Sequence, residues 1–527
     1  MNTATANSFS LKHLSSLSTA AHAQRDQRRR RRRRPLLITT TTTKSATTVL
    51  DTNIEEEAEY CSPLPSYLEK SKEKCSAREL WKEEKEGSEV LADELLRVMR
   101  IQWRHGFTHV PSGYRKVTHG FGEILAGMQP AAADLAIDLL ELENGMSVLD
   151  PFVGGGTVCV CAMTKNLRAF GVDVSPLALH VCAHRVYVAE DVLQFDSFMR
   201  GRVLRVRELL LSSNSSSEDS NSSSLNNSFG SVAKALENAI LEVQDLSSSI
   251  QTTALYFCLA EAERRHQIRL KRNKRKKKFG KRRTNNKNEK KEDDDDAYYS
   301  PLNFYERCVD EYISRIKDLH DAVDGDSSLA SIKRGDARFD MLVADEDKMG
   351  KIDGILTSPP YPGVYDYVSF ARRQRSRLRV GSTINNNNNS DYYINAKVPE
   401  NVTDEEGNRQ LWDENFNSAH EFGSKRELRK DYSGFAESWS IAQTQWLQNV
   451  YRTVRPNARI IIMIGDGANI NSLESTKLSA RESGFEFLAS CSLSIVNEIE
   501  GADGEVRLYN AARKEHLILF QKPTAVT

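Results

Sequence analysis

The chain has 527 residues, enough for two to four domains. Apolar residues make up 39% and charged residues 28%, which is lean for one fully folded globule and implies unfolded decoration somewhere along the chain. The formal net charge of +0 excludes a general attraction to nucleic acid, so any such attraction has to come from local patches.

Residues 1–50 are rich in Ser, Thr, Ala and Arg, and Asp26 is the one acid among them. Arginines run from Arg28 to Arg34 and threonines from Thr39 to Thr43. Hydroxyl enrichment, acid depletion and a basic run together suit a chloroplast or mitochondrial transit peptide. A solvated basic tail or a nuclear-localisation signal is the alternative. Residues 51–130 read as a mainly helical region of mixed charge. Within it, Leu91–Trp103 spaces its apolar residues as a helix does, and Met99, Ile101 and Trp103 read as core.

Residues 131–200 and 301–525 carry short apolar strands alternating with amphipathic helices, the pattern of an α/β domain in two halves. The candidate strands are Ser147–Asp150, Ala169–Asp173, Gly354–Thr357, Arg459–Ile464 and His516–Phe520. Between the halves, residues 205–300 form a low-complexity charged insertion. It holds the Ser/Asn-rich stretch Ser212–Ser228, the basic run Lys271–Arg283 and the acidic block Asp293–Asp296. Such blocks are expected to stay solvated and unfolded. A second polar loop contains Asn385–Asn389. The eight cysteines include no Cys-x-x-Cys pair, and Cys159-x-Cys161 falls in a helix where the two side chains diverge. They read as reduced and mostly buried, with neither a metal site nor a disulfide framework. No apolar stretch approaches the roughly 18 residues of a membrane span.

In the first half, Val148-Leu149-Asp150 ends a strand, Gly154, Gly155 and Gly156 turn the chain, and Thr157 opens a helix. Helix-terminal amides behind a glycine turn suit a nucleotide-like cofactor approached closely by backbone. Asp173 closes the next strand, seventeen positions after Gly156, where a carboxylate accepts the two hydroxyls of a ribose. Asp336, in Gly335-Asp336-Ala337-Arg338, follows a third candidate strand and stands where it can face an adenine amino group. A glycine turn alone does not choose a cofactor, and an ordinary turn of a doubly wound sheet is the plain alternative. Two details narrow the choice. Asp150-Pro151-Phe152 sets an acid and an aromatic before the glycines, with no Gly-x-Gly-x-x-Gly pattern. No Lys-Ser/Thr follows, which excludes a Walker loop.

In the second half, a strand feeds Thr357-Ser358-Pro359-Pro360-Tyr361. Two prolines fix φ and remove two backbone donors, and Ser358 is pushed towards an extended conformation. Carbonyls there stay outside any helix ladder. An exocyclic amine of cytosine or adenine delocalises its lone pair into the ring and is a poor nucleophile. Two acceptors for its N–H groups, the Ser358 hydroxyl and the Pro359 carbonyl, turn that lone pair out of plane. Tyr361 can stack on the base. A rigid corner is the bland reading of a Pro-Pro turn.

Asp150–Thr157 resembles the first motif of the amino-group DNA methyltransferases, written there Asp-Pro-Phe-x-Gly-x-Gly-Thr, and Thr357–Tyr361 is similar to that family's catalytic motif in the Thr-Ser-Pro-Pro-Tyr form. The stretch from His119-Gly-Phe-Gly-Glu123 to Gln129-Pro130 resembles the segment over the methionine end of the cofactor, and His516–Phe520 resembles the last strand. The resemblance covers the two α/β halves. It implies a Rossmann-like class I methyltransferase sheet with helices on both faces, plus N-terminal helices and a long disordered insertion. It implies S-adenosyl-L-methionine as cofactor, no metal, and site-specific methylation of cytosine N4 in DNA. The implied catalytic residues are Thr357, Ser358, Pro359, Pro360 and Tyr361. The implied cofactor residues are Asp150, Phe152, Gly154, Gly156, Thr157, Asp173 and Asp336.

A base within a duplex cannot reach such a pocket, so the target is flipped out or single-stranded. Phosphate contact needs cations. Arg372, Arg373 and Arg375, with Arg377 and Arg379 behind them, follow the catalytic loop and are the candidates; a solvated helix face is the alternative. Tyr365 and Tyr367 can stack a neighbouring base or sit in the core. The expected partner is thus nucleic acid, DNA first and organellar rRNA or tRNA as the alternative. A non-catalytic nucleic-acid-binding module is the rival of a different class, and the retained Asp173 and Ser358–Tyr361 argue against it.

Overall fold

A computed structural model describes residues 79–105, 114–122, 124, 127–215, 228–242, 250–280, 300–343, 350–373, 421–500, 506–510 and 514–524. The strands are β1 (Glu79–Gly87), β2 (Ser147–Asp150), β3 (Arg168–Asp173), β4 (Ala330–Arg334), β5 (Ile352–Thr357), β6 (Val454–Gly465), β7 (Glu486–Glu500), β8 (Val506–Asn510) and β9 (Glu515–Gln521). The helices are α1 (Glu89–His105), α2 (Pro130–Asp138), α3 (Thr157–Thr164), α4 (Pro176–Val186), α5 (Val192–Ser215), α6 (Phe229–Leu241), α7 (Ile250–Gly280), α8 (Pro301–Ala322), α9 (Tyr367–Arg373), α10 (Lys425–Lys430), α11 (Phe435–Thr453) and α12 (Ser472–Glu482). The proposed transit segment 1–50, the Asn385–Asn389 loop and Arg375 lie outside the described residues.

The strands form one sheet in the order β1-β7-β9-β6-β5-β2-β3-β4, with β8 paired to β7. β4, β3, β2, β5 and β6 are mutually parallel. β9 then runs antiparallel between β6 and β7. This is the expected Rossmann-like sheet with helices on both faces. Chain order reverses between β2 and β5, and in open α/β sheets ligands bind outside the carboxyl ends of the strands at that reversal.

The two faces explain the apolar strand sequences. Ile460, Ile462 and Ile464 point into one core with Trp439 and Trp446 of α11. Ile461 and Met463 point into the other, with Val148 and the helices α1 to α8. Strand side chains alternate, so a strand covered on both faces is apolar throughout. Each of the five candidate strands falls within one of β2, β3, β5, β6 and β9.

Two expectations fail in part. The N-terminal region is helical in α1, but Glu79–Gly87 is a strand, paired antiparallel to β7 from Glu79↔Asn497 to Gly87↔Ala489. Its Glu/Lys-rich sequence gives no strand signal. Tertiary partners supply it: Glu83 pairs with Arg100 at 2.9 Å and Lys85 with Asp93 at 2.6 Å, both on α1.

The insertion is also more folded than its composition implies. α6 and the first half of α7 pack into the larger core, with Leu236, Leu255 and Phe257 buried. Low-complexity runs on either side dilute the apolar content when the region is averaged. Val232, Ala235, Leu236 and Ala239 nonetheless follow helical spacing. Phe257 packs against Phe121 with centroids 5.4 Å apart and against Tyr312 at 5.6 Å. Phe257→Ala is therefore expected to cost about 3–5 kcal/mol of stability, measured by urea unfolding. An unchanged midpoint would mean these helices are dispensable.

Candidate functional site

The two loops singled out in the sequence meet at the strand reversal. Asp150 ends β2 and Thr357 ends β5, and the Thr357 hydroxyl donates to Asp150 Oδ1 at 2.6 Å. Both side chains are buried, Asp150 at 4% exposure and Thr357 at 0%. The Phe152 amide donates to the same Oδ1 at 3.0 Å. Burial outweighs these donors and pushes the Asp150 carboxyl up to about 7. Asp150 thus ties the glycine loop to the Ser-Pro-Pro-Tyr loop.

Behind Asp150 the chain turns through Gly156, whose φ is +78°, into α3. A Cβ there would lie 2.6 Å from Cys182 Sγ of α4. The turn needs both the left-handed conformation and the missing side chain. Gly156→Ala is expected to destabilise the fold by about 1–3 kcal/mol, read from chemical denaturation. Thr157 is the buried first residue of α3. Phe152 packs edge-on against Trp446 at 5.3 Å and Phe422 at 5.8 Å.

Asp173 ends β3 beside this turn. Its Oδ2 accepts the Gly154 amide at 2.9 Å and its Oδ1 accepts the Ser175 amide at 2.8 Å. The carboxyl is half-buried, and burial pushes it up to about 6. Each oxygen keeps a lone pair for a further donor. Asp336 lies after β4, and its two oxygens are engaged by Arg338, Oδ1 by Nε at 2.9 Å and Oδ2 by Nη2 at 2.6 Å. An adenine amino group would share Asp336 with that guanidinium. The Arg338 head also sits over the Phe422 ring, 5.3 Å from its centroid.

The Ser-Pro-Pro-Tyr loop leaves β5 as irregular chain. Tyr361 is 6% exposed, and its phenol lies near the Ser358 side chain. Its ring packs on Gly465, where a Cβ would approach to 2.7 Å. Tyr361 is therefore packed into the loop and does not offer an open face. Half-buried Tyr365 and Tyr367 continue the aromatic row, with centroids 6.3 Å from Tyr361 to Tyr365 and 5.5 Å from Tyr365 to Tyr367. Pro360's carbonyl accepts from Trp439 Nε1 at 3.4 Å. The Pro359 carbonyl takes no hydrogen bond from the described residues. Burial raises the Tyr367 phenol, and neighbouring Tyr365 and then the carboxylates of Glu421 and Asp173 add to the shift. Arg372 and Arg373 lie at the end of α9, with their side chains outside the described residues.

Two positions at the candidate site went unnoticed in the sequence. Arg185 is buried under the glycine loop, where its guanidinium donates to Gly155 O at 2.9 Å and to Phe121 O at 2.8 Å. It binds the His119–Gly122 segment to that loop. A lone arginine in the apolar run of α4 was the available signal. Glu421 stands at the start of a described segment, next to Phe422, and nothing in its sequence neighbourhood marks it. Another arrangement has the look of a hydrolytic triad: Ser492 Oγ meets His516 Nδ1 at 2.6 Å, and His516 Nε2 meets Asp466 Oδ1 at 3.0 Å. Ser492 is buried within the sheet, which leaves it no access to a substrate. Among the described residues no cluster of His, Cys, Asp or Glu fits a metal ion, and no helix is long and apolar enough to cross a membrane.

No protein-family profile matches the chain. No curated protein matches it either. Among solved structures it is similar to TrmN from Thermus thermophilus, with 9% identity, 76% of this chain and 51% of that one covered, and a TM-score of 0.26. It is similar to a TehB-like SAM-dependent methyltransferase from Corynebacterium glutamicum, with 8% identity, 82% and 100% covered, and a TM-score of 0.25. It is also similar to the rRNA methyltransferase AviRa from Streptomyces viridochromogenes, with 9% identity, 79% and 96% covered, and a TM-score of 0.28. At these values the likeness carries no information on substrate or mechanism.

Proposed function

We propose that the protein is an S-adenosylmethionine-dependent methyltransferase acting on the exocyclic amine of a nucleobase, cytosine N4 in DNA. The observation that carries this reading is the 2.6 Å bond from Thr357 to Asp150. It brings a glycine turn with a ribose-type acid and a rigid acceptor loop to the one crevice where such sheets bind ligands.

The residues fit the cofactor. Asp173 accepts ribose hydroxyls, the α3 amides and the glycine backbone allow close approach, and Phe152 walls the crevice. The cofactor, when bound, supplies an electrophilic methyl group. Ser358 and the Pro359 carbonyl accept the two N–H groups of the target amine and hold its lone pair towards that methyl. Transfer of that methyl to the held nitrogen would leave an extra proton there, which would pass through an acceptor to water. Positive charge grows on nitrogen, so oxygens already in place favour the transition state over the ground state. No cysteine nucleophile enters, and those described are free and buried.

The test incubates purified full-length protein with labelled cofactor and, separately, DNA and RNA, then identifies the labelled nucleoside by mass spectrometry. N4-methylcytosine from DNA is expected. Label in RNA alone points to organellar rRNA or tRNA, and cofactor binding without any labelled nucleoside points to a non-catalytic module.

A further inference from the structure

Among the described residues, a buried carboxyl oxygen near the crevice has no hydrogen-bond partner. Glu421 is 5% exposed. Its Oε1 accepts the Tyr367 amide and, at 3.4 Å, the Val368 amide. Its Oε2 is buried and has no hydrogen-bond partner among the described residues. Capping α9 explains the first oxygen and leaves the second unexplained. Buried polar atoms are normally satisfied, so an orphan at a crevice is a place for a ligand atom.

The neighbours show which ligand. Glu421 holds the amide of Tyr367, whose ring stands 5.5 Å from that of Tyr365 in the aromatic row of the acceptor loop. Next in the chain, Phe422 packs on Phe152 of the glycine loop. Gly423 then accepts the Gly363 amide at 2.8 Å, beside the prolines. The Glu421–Gly423 segment thus joins the glycine loop to the acceptor loop, on the side of the crevice where a base would enter. Asp366 and Arg426 are the other charges near it, and they pair with each other at 3.2 Å.

An oxygen with no donor around it, shielded from water, favours the protonated carboxyl. Burial accordingly pushes Glu421 up to about 7, against the two amides that favour the charge. With Oε1 committed to backbone amides, the proton belongs on Oε2, which becomes a hydrogen-bond donor. The amines at issue stand next to an acceptor ring nitrogen, N3 in cytosine and N1 in adenine.

We infer that Glu421 is a specificity-determining residue whose Oε2–H donates to the ring nitrogen adjoining the target amine, so that the site takes bases with an amidine edge. This rests on the methyltransferase reading above. The bond orients the base. It also draws electron density from the amine, so its benefit falls on binding more than on the chemical step.

The test measures steady-state methyl transfer to single-stranded oligonucleotides carrying cytosine or adenine, and to their 3-deazacytosine and 1-deazaadenine counterparts, which lack the acceptor nitrogen. Glu421→Ala is expected to raise KM for the natural base roughly tenfold with kcat within about threefold, the scale of one lost neutral hydrogen bond. Glu421→Gln keeps an acceptor for α9 and a donor for the ring, and it should restore KM to near the wild-type value. The deaza base should raise KM for the wild type and leave KM of Glu421→Ala unchanged. Two results would overturn the inference: Glu421→Gln as impaired as Glu421→Ala, or deaza and alanine effects that multiply. A lowered thermal midpoint in Glu421→Ala reports loss of the α9 cap, and the comparison of natural with deaza base within each protein is read independently of it. A wild type that methylates no base overturns the parent reading instead.

Discussion

Replacing Ser358 by alanine is expected to slow methyl transfer roughly 100-fold, the usual scale for one preorganised polar group facing a developing charge. Cofactor affinity should stay within about twofold, because the lost group is needed in the transition state. The structure separates the two effects cleanly. Ser358 lies on the acceptor loop, directly after Thr357 at the end of β5. The cofactor-side contacts run instead from Asp173 to Gly154 and Ser175. The link between the loops uses Thr357 and Asp150, one residue away from the substitution. Single-turnover rates with isothermal titration of the cofactor check both halves. A variant with full rate would remove Ser358 from the amine clamp. A variant with normal rate at saturating cofactor but tenfold weaker binding would move it to the cofactor side.

Replacing Asp173 by alanine should have the opposite profile. Two hydrogen bonds to a charged group are expected to contribute about 3 kcal/mol to cofactor binding, or roughly 100-fold in Kd. The rate at saturating cofactor should change much less. A pH dependence follows from the same carboxyl. Burial raises it to about 6, so ionisation costs the free protein stability at neutral pH, and acidification relieves that cost. Ribose hydroxyls donate to the ionised form and favour it. Cofactor affinity should be level above about pH 7 and fall as pH drops through 6, by at most about tenfold per pH unit. Binding near pH 6 should release a proton. Asp173→Asn should bind weakly at every pH, without that slope. Titrations in two buffers of different ionisation heat measure the proton release directly. A slope that persists in Asp173→Asn would assign it elsewhere, and Asp150, pushed up to about 7 by burial, is then the group to test.

Much of the fold was legible in the chain because its determinants are local. β2, β3, β5, β6 and β9 are apolar on both faces, so their positions show as short unbroken runs. Asp150–Thr157 and Thr357–Tyr361 each fix their own geometry, through a positive φ at Gly156 and through two adjacent prolines. The reach of Asp173 towards the glycine loop was equally readable, since strand ends of a doubly wound sheet lie side by side.

Elsewhere the local signal was absent or masked. Glu79–Gly87 is a strand because β7 offers it an edge and α1 offers its charges partners. α6 and the start of α7 fold because Phe121 and Tyr312, distant in the chain, cover Phe257. Arg185 under Gly155 and Glu421 beside Tyr367 are single charged residues whose meaning lies wholly in what surrounds them. The sequence by itself determined the sheet's central strands and the two loops at its ridge, since these depend on periodicity and backbone stereochemistry. Only the tertiary structure decided which charged groups were buried against those loops, since burial is set by chain segments far apart in sequence.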